Sequence, residues 1–207
     1  MTTVFIHGLG QNASSWDQVI SSLAEQRNTV CPDLWTLNNG EMTYKNLYRA
    51  FSDYCEKVPG KLRLCGLSLG GMIALDYTIK NQSKVQSLTL IGTQFKIPKA
   101  MIRFQNMIFR LMPKSSFTEM GMSKMETIKL TTSMMEIDFS MCLGSLYTPT
   151  LILCGEKDNA NKKASEYMAA KMPNSEKREI ANAGHEINTE APEKLGEILN
   201  QFWQKHT

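Results

Sequence analysis

The chain has 207 residues, 42% apolar and 21% charged, with a net charge of +3, which predicts one globular domain long enough to bury a core. Lys and Arg are interspersed with Asp and Glu, which argues against a nucleic-acid partner, and no stretch has the roughly 20 apolar residues of a membrane span. The first residues lack the pattern of a signal peptide, so we expect a soluble cytoplasmic protein.

The predicted elements alternate between strand and helix along the chain. Strands are expected at residues 3–7, 29–32, 61–65, 85–91, 150–154 and 176–181. The apolar face of the first helix would consist of Trp16, Val19, Ile20 and Leu23, with Ser14 as its N-cap. Further helices are expected at residues 43–57, 69–80 and 163–171, and a closing helix has the apolar face Leu195, Ile198, Leu199 and Phe202. This alternation predicts the α/β class, with a mostly parallel sheet of about six strands and helices on both faces.

The segment from residue 95 to 146 interrupts this alternation. It has no strand pattern, is predicted to form two or three helices separated at Pro98 and Pro113, and holds nine of the fourteen methionines. We therefore expect a core of residues 1–94 and 147–207, with residues 95–146 as a helical cap over the carboxyl edge of the sheet. The methionines would form a loosely specified helical core or an adaptable apolar lid, and the two accounts are compatible.

The sequence Gly-Leu-Ser-Leu-Gly at residues 66–70 lies between a predicted strand and a predicted helix. The chain must reverse within about two residues, which would leave Ser68 at the apex of the turn in a strained conformation. Glycines on both sides remove side chains that would collide across the bend. We therefore predict that Ser68 is an exposed nucleophile beside a helix N-terminus.

A serine nucleophile needs a base and an orienting acid. Of the three histidines, His185 follows the last predicted strand and is the candidate base, whereas His206 lies next to the C-terminus. Asp158, after the fifth strand, is the preferred acid, and Glu156 is its rival.

No cofactor and no metal site are expected. The five cysteines show no Cys-x-x-Cys pair and no histidine at ligand spacing, so they are predicted to be structural thiols in a reducing compartment. They are Cys31, Cys55, Cys65, Cys142 and Cys154.

These landmarks together resemble the α/β-hydrolase superfamily over nearly the whole chain. The resemblance rests on Phe-Ile-His-Gly-Leu-Gly at 5–10, Trp16, Pro-Asp at 32–33, the motif around Ser68, Pro-Thr-Leu-Ile-Leu-Cys-Gly-Glu-Lys-Asp at 149–158, Ala-Gly-His at 183–185 and Glu-Ala-Pro at 190–192. The order Ser68, Asp158, His185 is the order of catalytic residues in that fold.

The resemblance implies roles for further residues. The backbone N–H groups of Leu9 and Leu69 would form the oxyanion hole, His7 would shape the first turn, and Asp33 would stabilise its own loop. Candidates to line the substrate pocket are Gly8, Trp35, Thr93 and Phe95, although Trp35 is as well explained by packing. The chain departs from the family in starting at the His-Gly strand, which implies a shortened sheet, and in lacking Gly-x-Gly-x-Ser after Asp33.

The expected activity is that of a serine hydrolase acting on a small ester or related acyl substrate. The resemblance leaves open C–C bond hydrolases, thioesterases, perhydrolases and synthases of the menaquinone branch, which use the same residues. It also leaves open a ligand-binding signalling protein of the same fold with little turnover. The sequence indicates no oligomeric state.

Overall fold

The structure is a computed structural model that describes residues 1–26, 28–118 and 121–206. Within these ranges the strands are β1 (Thr2–Ile6), β2 (Thr29–Val30), β3 (Leu62–Leu67), β4 (Val85–Ile91), β5 (Thr150–Gly155) and β6 (Ser175–Ile180). They form one sheet in the order β2-β1-β3-β4-β5-β6, and every neighbouring pair is parallel. The prediction of a parallel sheet of about six strands is confirmed.

Helices connect the strands and close the chain. They are α1 (Asp17–Ser21), α2 (Leu34–Leu37), α3 (Tyr44–Lys57), α4 (Leu69–Lys80), α5 (Lys99–Leu111), α6 (Ser115–Thr118), α7 (Lys124–Ser133), α8 (Lys162–Lys171), α9 (Ile187–Glu190) and α10 (Pro192–Lys205).

Helices cover both faces of the sheet because successive strand residues point to opposite sides. Val4 and Ile6 of β1 belong to the buried cluster that includes residues of α3, α4 and α8. Phe5, between them, belongs to a second cluster with residues of α1 and α10. The central strands are buried throughout, as their nearly continuous apolar sequences predict.

The first helix differs from its prediction. Residues Ala13–Trp16 form a 3₁₀ turn, and α1 then continues only to Ser21, so Leu23 lies beyond the helix. The N-cap is Asn12, whose side chain accepts from the backbone N–H of Ser14, and Ser15 completes a capping box. Ser14 as N-cap was therefore wrong, because Asn12 is a better acceptor at the point where the chain turns.

Two short helices, α2 and α9, were not predicted, and β2 is shorter than expected. β2 pairs with β1 only at Thr29 and Val30 and does not reach Pro32. α2 begins directly after Asp33, whose carboxylate accepts from the N–H groups of Trp35 and Thr36. The expectation that Asp33 stabilises its own loop agrees with these contacts.

In the part of the segment 95–146 that the structure describes, the chain forms helices and turns rather than strands, apart from an isolated bridge between Lys96 and Asp138. Glu119 and Met120 lie outside the described residues. Among the described methionines of this segment, Met112 and Met135 are partly buried. Met122 and Met134 are buried in the cluster of α3 and α4, whereas Met101, Met107, Met125 and Met141 are exposed.

The cysteines are free thiols in the structure. Burial raises the pKa values of Cys31 and Cys55 to about 12, which keeps both thiols protonated and unreactive. Among the helices that the structure describes, none has the length and apolar character needed to cross a membrane.

Candidate active site

Ser68 occupies a strained turn between β3 and α4. Its backbone has φ 53° and ψ −111°, a region that residues with a side chain rarely adopt. The turn is held by a hydrogen bond of 2.8 Å from the N–H of Ser68 to the carbonyl of Ile91 at the end of β4. The predicted strain at this serine is therefore present.

Glycines permit the close packing around this turn. A Cβ on Gly66 would collide with the carbonyl of Gly70, and a Cβ on Gly70 would collide with the carbonyl of Ile6 in β1. Both collisions involve backbone atoms that cannot move aside. The motif therefore requires glycine at both positions for packing.

Asp158 and His185 meet at the carboxyl edge of the sheet. Nδ1 of His185 donates to Oδ2 of Asp158 at 2.8 Å. Asp158 follows β5 and is buried, whereas His185 follows β6 and is partly exposed. The hydrogen bond places the proton on Nδ1, so Nε2 remains free to accept a proton.

The loop that carries His185 is held from both sides by Glu190. Its carboxylate accepts from the N–H of Gly184 at 2.7 Å and from the N–H of Glu186 at 3.1 Å. These two residues flank His185, so one side chain at the end of α9 fixes the backbone of the histidine.

Asn161 is a residue of the site that the sequence analysis missed. Its Nδ2 lies 2.8 Å from both carboxylate oxygens of Asp158 and 3.2 Å from Nδ1 of His185. Its Oδ1 accepts from Nε2 of Gln94 at 2.8 Å. The only available signal was its position three residues after Asp158, where a buried amide is able to turn back onto the carboxylate.

The pKa values of the pair shift in opposite directions. Burial alone would raise the pKa of Asp158, but the hydrogen bonds from His185 and Asn161 outweigh burial and leave that pKa below its usual 3.8. The hydrogen bond to Asp158 raises the pKa of His185 above 6.5, against the opposing effect of burial. The contact therefore favours the ionised carboxylate and the imidazolium.

Ser68 and His185 border the same cavity, which has a volume of about 150 Å³. No hydrogen bond joins the Ser68 hydroxyl to His185 within the described residues, and such contacts often tighten only when substrate is bound. The cavity is lined by Leu9, Ser68, Leu69, Met72, Gln94, Ile97, Met101, Ile102, Gln105, Thr131, Met134, Ala160, Asn161 and His185. Its wall thus combines the sheet edge with helices of the segment 95–146.

Leu9 and Leu69, the predicted oxyanion-hole residues, both line this cavity with Ser68. The N–H of Leu69 is the first of α4, where no carbonyl of the helix is available to accept it. A helix N-terminus also carries a partial positive charge.

His7 is a structural residue. It is fully buried, its Nε2 accepts from the N–H of Leu34 at 2.9 Å, and its Nδ1 donates to the carbonyl of Gly8 at 3.0 Å. Burial lowers the pKa of His7, against the effects of Gly8 and Asp33. Glu156, the rival acid, accepts instead from the N–H of Asn182 at 2.7 Å.

The four predicted pocket residues lie near the site, but none of them lines the cavity. Gly8 lies beside Ser68, and Thr93 lies against Gly71 with its hydroxyl bonded to the carbonyl of Ile91. Phe95 stacks on Tyr167 with 4.5 Å between ring centroids. Trp35 donates to the carbonyl of Gln11 at 2.8 Å and contacts the ring of His7. These contacts make Trp35 a packing residue rather than part of the cavity wall.

No group of three or more His, Cys, Asp or Glu side chains suited to a metal occurs in the described ranges.

The model of the alpha/beta hydrolase family matches residues 3–198, which is nearly the whole chain. The chain belongs to this family. The sequence and the fold had both indicated it, and the matched residues include every member of the site.

The proteins to which this alpha/beta hydrolase is similar include hydrolases and esterases. The "Putative carbamate hydrolase RutD" of Serratia proteamaculans is 24% identical, over 96% of this chain and 89% of the relative. The pimeloyl-[acyl-carrier protein] methyl ester esterase of Nitrosomonas europaea is 26% identical, over 44% of this chain and 36% of the relative. The structure of a thermophilic esterase from Thermogutta terrifontis covers 100% of this chain and 91% of its own, with a TM-score of 0.83. At 22% identity, that likeness shows the fold alone.

Proposed function

We propose that this chain is a serine hydrolase of small esters or related acyl compounds. Ser68 would be the nucleophile, His185 the base, and Asp158 the carboxylate that orients His185. One observation carries the proposal: His185, which binds Asp158 at 2.8 Å, lines the same cavity as the strained Ser68. A base with an oriented tautomer and a hydroxyl on the same cavity are the groups that nucleophilic catalysis requires.

In the acylation step, the Ser68 oxygen attacks the substrate carbonyl carbon while Nε2 of His185 takes the hydroxyl proton. Asp158 stabilises the imidazolium that forms. The tetrahedral intermediate then expels its alcohol, which receives the proton from His185, and an acyl-serine ester remains. Water attacks this ester with His185 again as the base, which releases the carboxylic acid and restores the Ser68 hydroxyl.

The N–H groups of Leu9 and Leu69 would hold the negative oxygen of the tetrahedral intermediate. Both residues border the cavity beside Ser68, and the N-terminus of α4 adds a favourable dipole. One such donor typically contributes about 3 to 4 kcal/mol to the lowering of the barrier. Because the donors are backbone groups, side-chain substitution does not remove them.

The cavity favours a small acyl group, and residues 95–146 would serve as its cap. Its volume of about 150 Å³ equals the share of roughly five molecules of liquid water. Ile97, Met101 and Met134 of this segment form part of the apolar wall, and methionine adapts to varied shapes. We expect p-nitrophenyl acetate and butyrate to be cleaved in preference to long-chain esters.

The similar proteins support the reaction class. A carbamate and a methyl ester both place a carbonyl carbon next to a leaving group, which is the centre that an activated serine attacks.

A fluorophosphonate probe tests the nucleophile directly. We expect one adduct on the folded protein, located at Ser68 by mass spectrometry, and no adduct on Ser68→Ala. Turnover of p-nitrophenyl butyrate should fall to the background rate in the same variant. A folded wild-type protein that is not labelled at Ser68 would contradict the proposal and favour either base chemistry without an acyl-enzyme or a binding role.

A further inference from the structure

Helix α5 presents an apolar stripe to solvent. Five of its large apolar side chains are exposed, among them Phe104 at 61% and Leu111 at 84%. The five are Met101, Phe104, Met107, Ile108 and Leu111. At 100° per residue, these positions fall within an arc of about 120° along the whole helix. Single exposed apolar residues are ordinary, but a continuous stripe marks an interaction surface.

The stripe is a separate surface from the packed face of α5. Ile102 and Asn106 are buried on that other face. Asn106 donates to Thr132 at 3.0 Å and accepts from Thr131 at 2.6 Å, both in α7. These contacts fix the rotation of the helix about its axis, so the exposed stripe is a consequence of buried polar bonds.

Positive charge borders the stripe. Residues 96–118 contain five Lys or Arg residues and no Asp or Glu. Lys99, Arg103 and Arg110 lie along one side of the apolar arc, and Lys99 pairs with Glu136 at 2.8 Å. Arg103 and Arg110 are exposed and form no ion pair with any residue that the structure describes.

We propose that α5 docks on an anionic lipid bilayer surface, with its apolar stripe inserted between headgroups and Arg103 and Arg110 against lipid phosphates. A helix of 13 residues with an apolar face and a basic border lies in the plane of such an interface. The charge favours this occupant, because an apolar stripe alone would suit a second copy of the chain equally well. The proposal does not depend on the proposed catalytic activity.

Docking would bring the cavity close to the lipid. Met101 belongs both to the exposed stripe and to the cavity wall, and Ile102 and Gln105 of the same helix also line the cavity. Molecules dissolved in the bilayer surface would therefore meet the site at the edge of α5.

Vesicle co-sedimentation of the full chain tests the proposal. Vesicles of phosphatidylcholine alone are compared with vesicles that also contain phosphatidylglycerol, at low and at high salt. We expect binding to the mixed vesicles, release by high salt, and little binding to phosphatidylcholine alone. Phe104→Glu combined with Leu111→Glu should weaken binding by more than about tenfold. Arg103→Gln combined with Arg110→Gln should weaken it by about fivefold for each charge removed.

The matched controls lie at the amino ends of the strands, opposite the carboxyl edge that carries the site. Tyr147 is 66% exposed and precedes β5, so Tyr147→Glu alters an equally exposed apolar residue far along the strand from the site. Lys57→Gln combined with Lys61→Gln removes two exposed charges near the start of β3. We expect both control proteins to bind the mixed vesicles as the wild type does.

Three results would overturn the proposal: equal or absent binding to both kinds of vesicle, equal losses in the control variants, or a dimer in solution that forms through the stripe of α5. A dimer measured by sedimentation, and dissociated by the two glutamates in α5, would identify a second copy of the chain as the occupant.

Discussion

At the scale of single residues, the contact of His185 with Asp158 determines how the site responds to pH. In the proposed reaction His185 must be neutral to accept a proton from Ser68, and the hydrogen bond to Asp158 raises the pKa of His185 above 6.5. We therefore expect kcat/KM to be lost as the pH falls, with a midpoint above 6.5.

Asp158→Asn should move that midpoint to lower pH, because the carboxylate that stabilises the imidazolium is gone. The same change should lower kcat by about 10⁴-fold, the size seen in a serine protease triad, because an amide favours the wrong tautomer. The measurement is a pH profile of p-nitrophenyl acetate hydrolysis. A midpoint that stays in place would show that another group titrates.

Asn161 is predicted to be a positioning residue that acts through Asp158. Asn161→Asp keeps the shape of the side chain but places a second carboxylate 3.2 Å from Nδ1 of His185 in place of an amide nitrogen. We expect the midpoint of kcat/KM to rise by about one pH unit, because a nearby negative charge favours the imidazolium. Activity at high pH should also fall, since two neighbouring carboxylates repel each other.

The matched control is Asn159→Asp, which adds the same charge two positions away at an exposed residue. Solvent screens that charge, so its midpoint should move much less. Equal shifts in both variants would assign the effect to net charge rather than to the contact with His185.

At the scale of elements, β4 separates the strands that carry Ser68 and Asp158. Neighbouring strands lie about 4.8 Å apart, so β3 and β5 are about 10 Å apart. The His185 ring lies over Gly92, the residue that directly follows β4. A Cβ at Gly92 would lie 2.8 Å from Nδ1 and Cε1 of His185 and 3.1 Å from Oδ2 of Asp158.

Gly92→Ala should therefore displace the His185 ring and lower kcat/KM by roughly 100-fold or more, the cost of a misplacement of about 1 Å. The φ of +52° at Gly92 also makes alanine unfavourable by about 1 to 2 kcal/mol of unfolding free energy. Activity assays and denaturant unfolding measure the two effects separately.

A second variant, Gly60→Ala, separates the effect on activity from the effect on stability. Gly60 has a φ of +74° and open space where the Cβ would be, so alanine there has the backbone cost without the contact. We expect a similar loss of stability with unchanged kcat/KM. A loss of activity in both variants would indicate that instability, and not the contact with His185, reduces turnover.

Elements were predictable where local signals agreed. α4 occupies Leu69–Lys80 and β4 occupies Val85–Ile91, as expected, because an apolar run or a sharp glycine turn marks each boundary. α1 was predicted too long because Leu23 continues the apolar spacing and packs in the core although the helix has already ended. Burial of a side chain does not require that its backbone be helical.

At the scale of the whole molecule, the parallel sheet brings the site together. Ser68, Asp158 and His185 follow β3, β5 and β6, and the carboxyl ends of parallel strands meet at one edge. The direction of the strands therefore explains why residues up to 117 positions apart in the sequence share one rim. Helical residues of the segment 95–146 complete the wall of the cavity above that rim.

By itself, the sequence determined the fold class and the succession of strands along the chain, and it led to the proposal of Ser68, Asp158 and His185 as the central residues. These depend on apolar periodicity and turn glycines, which are local properties of the chain. Only the tertiary structure decided that Asn161 contacts both Asp158 and His185, that Gly92 provides room for the imidazole, and which residues line the cavity. The same holds for the exposed stripe of α5, because buried bonds to a distant helix set its orientation. Contacts between segments far apart in the chain arise from packing, and no local pattern encodes them.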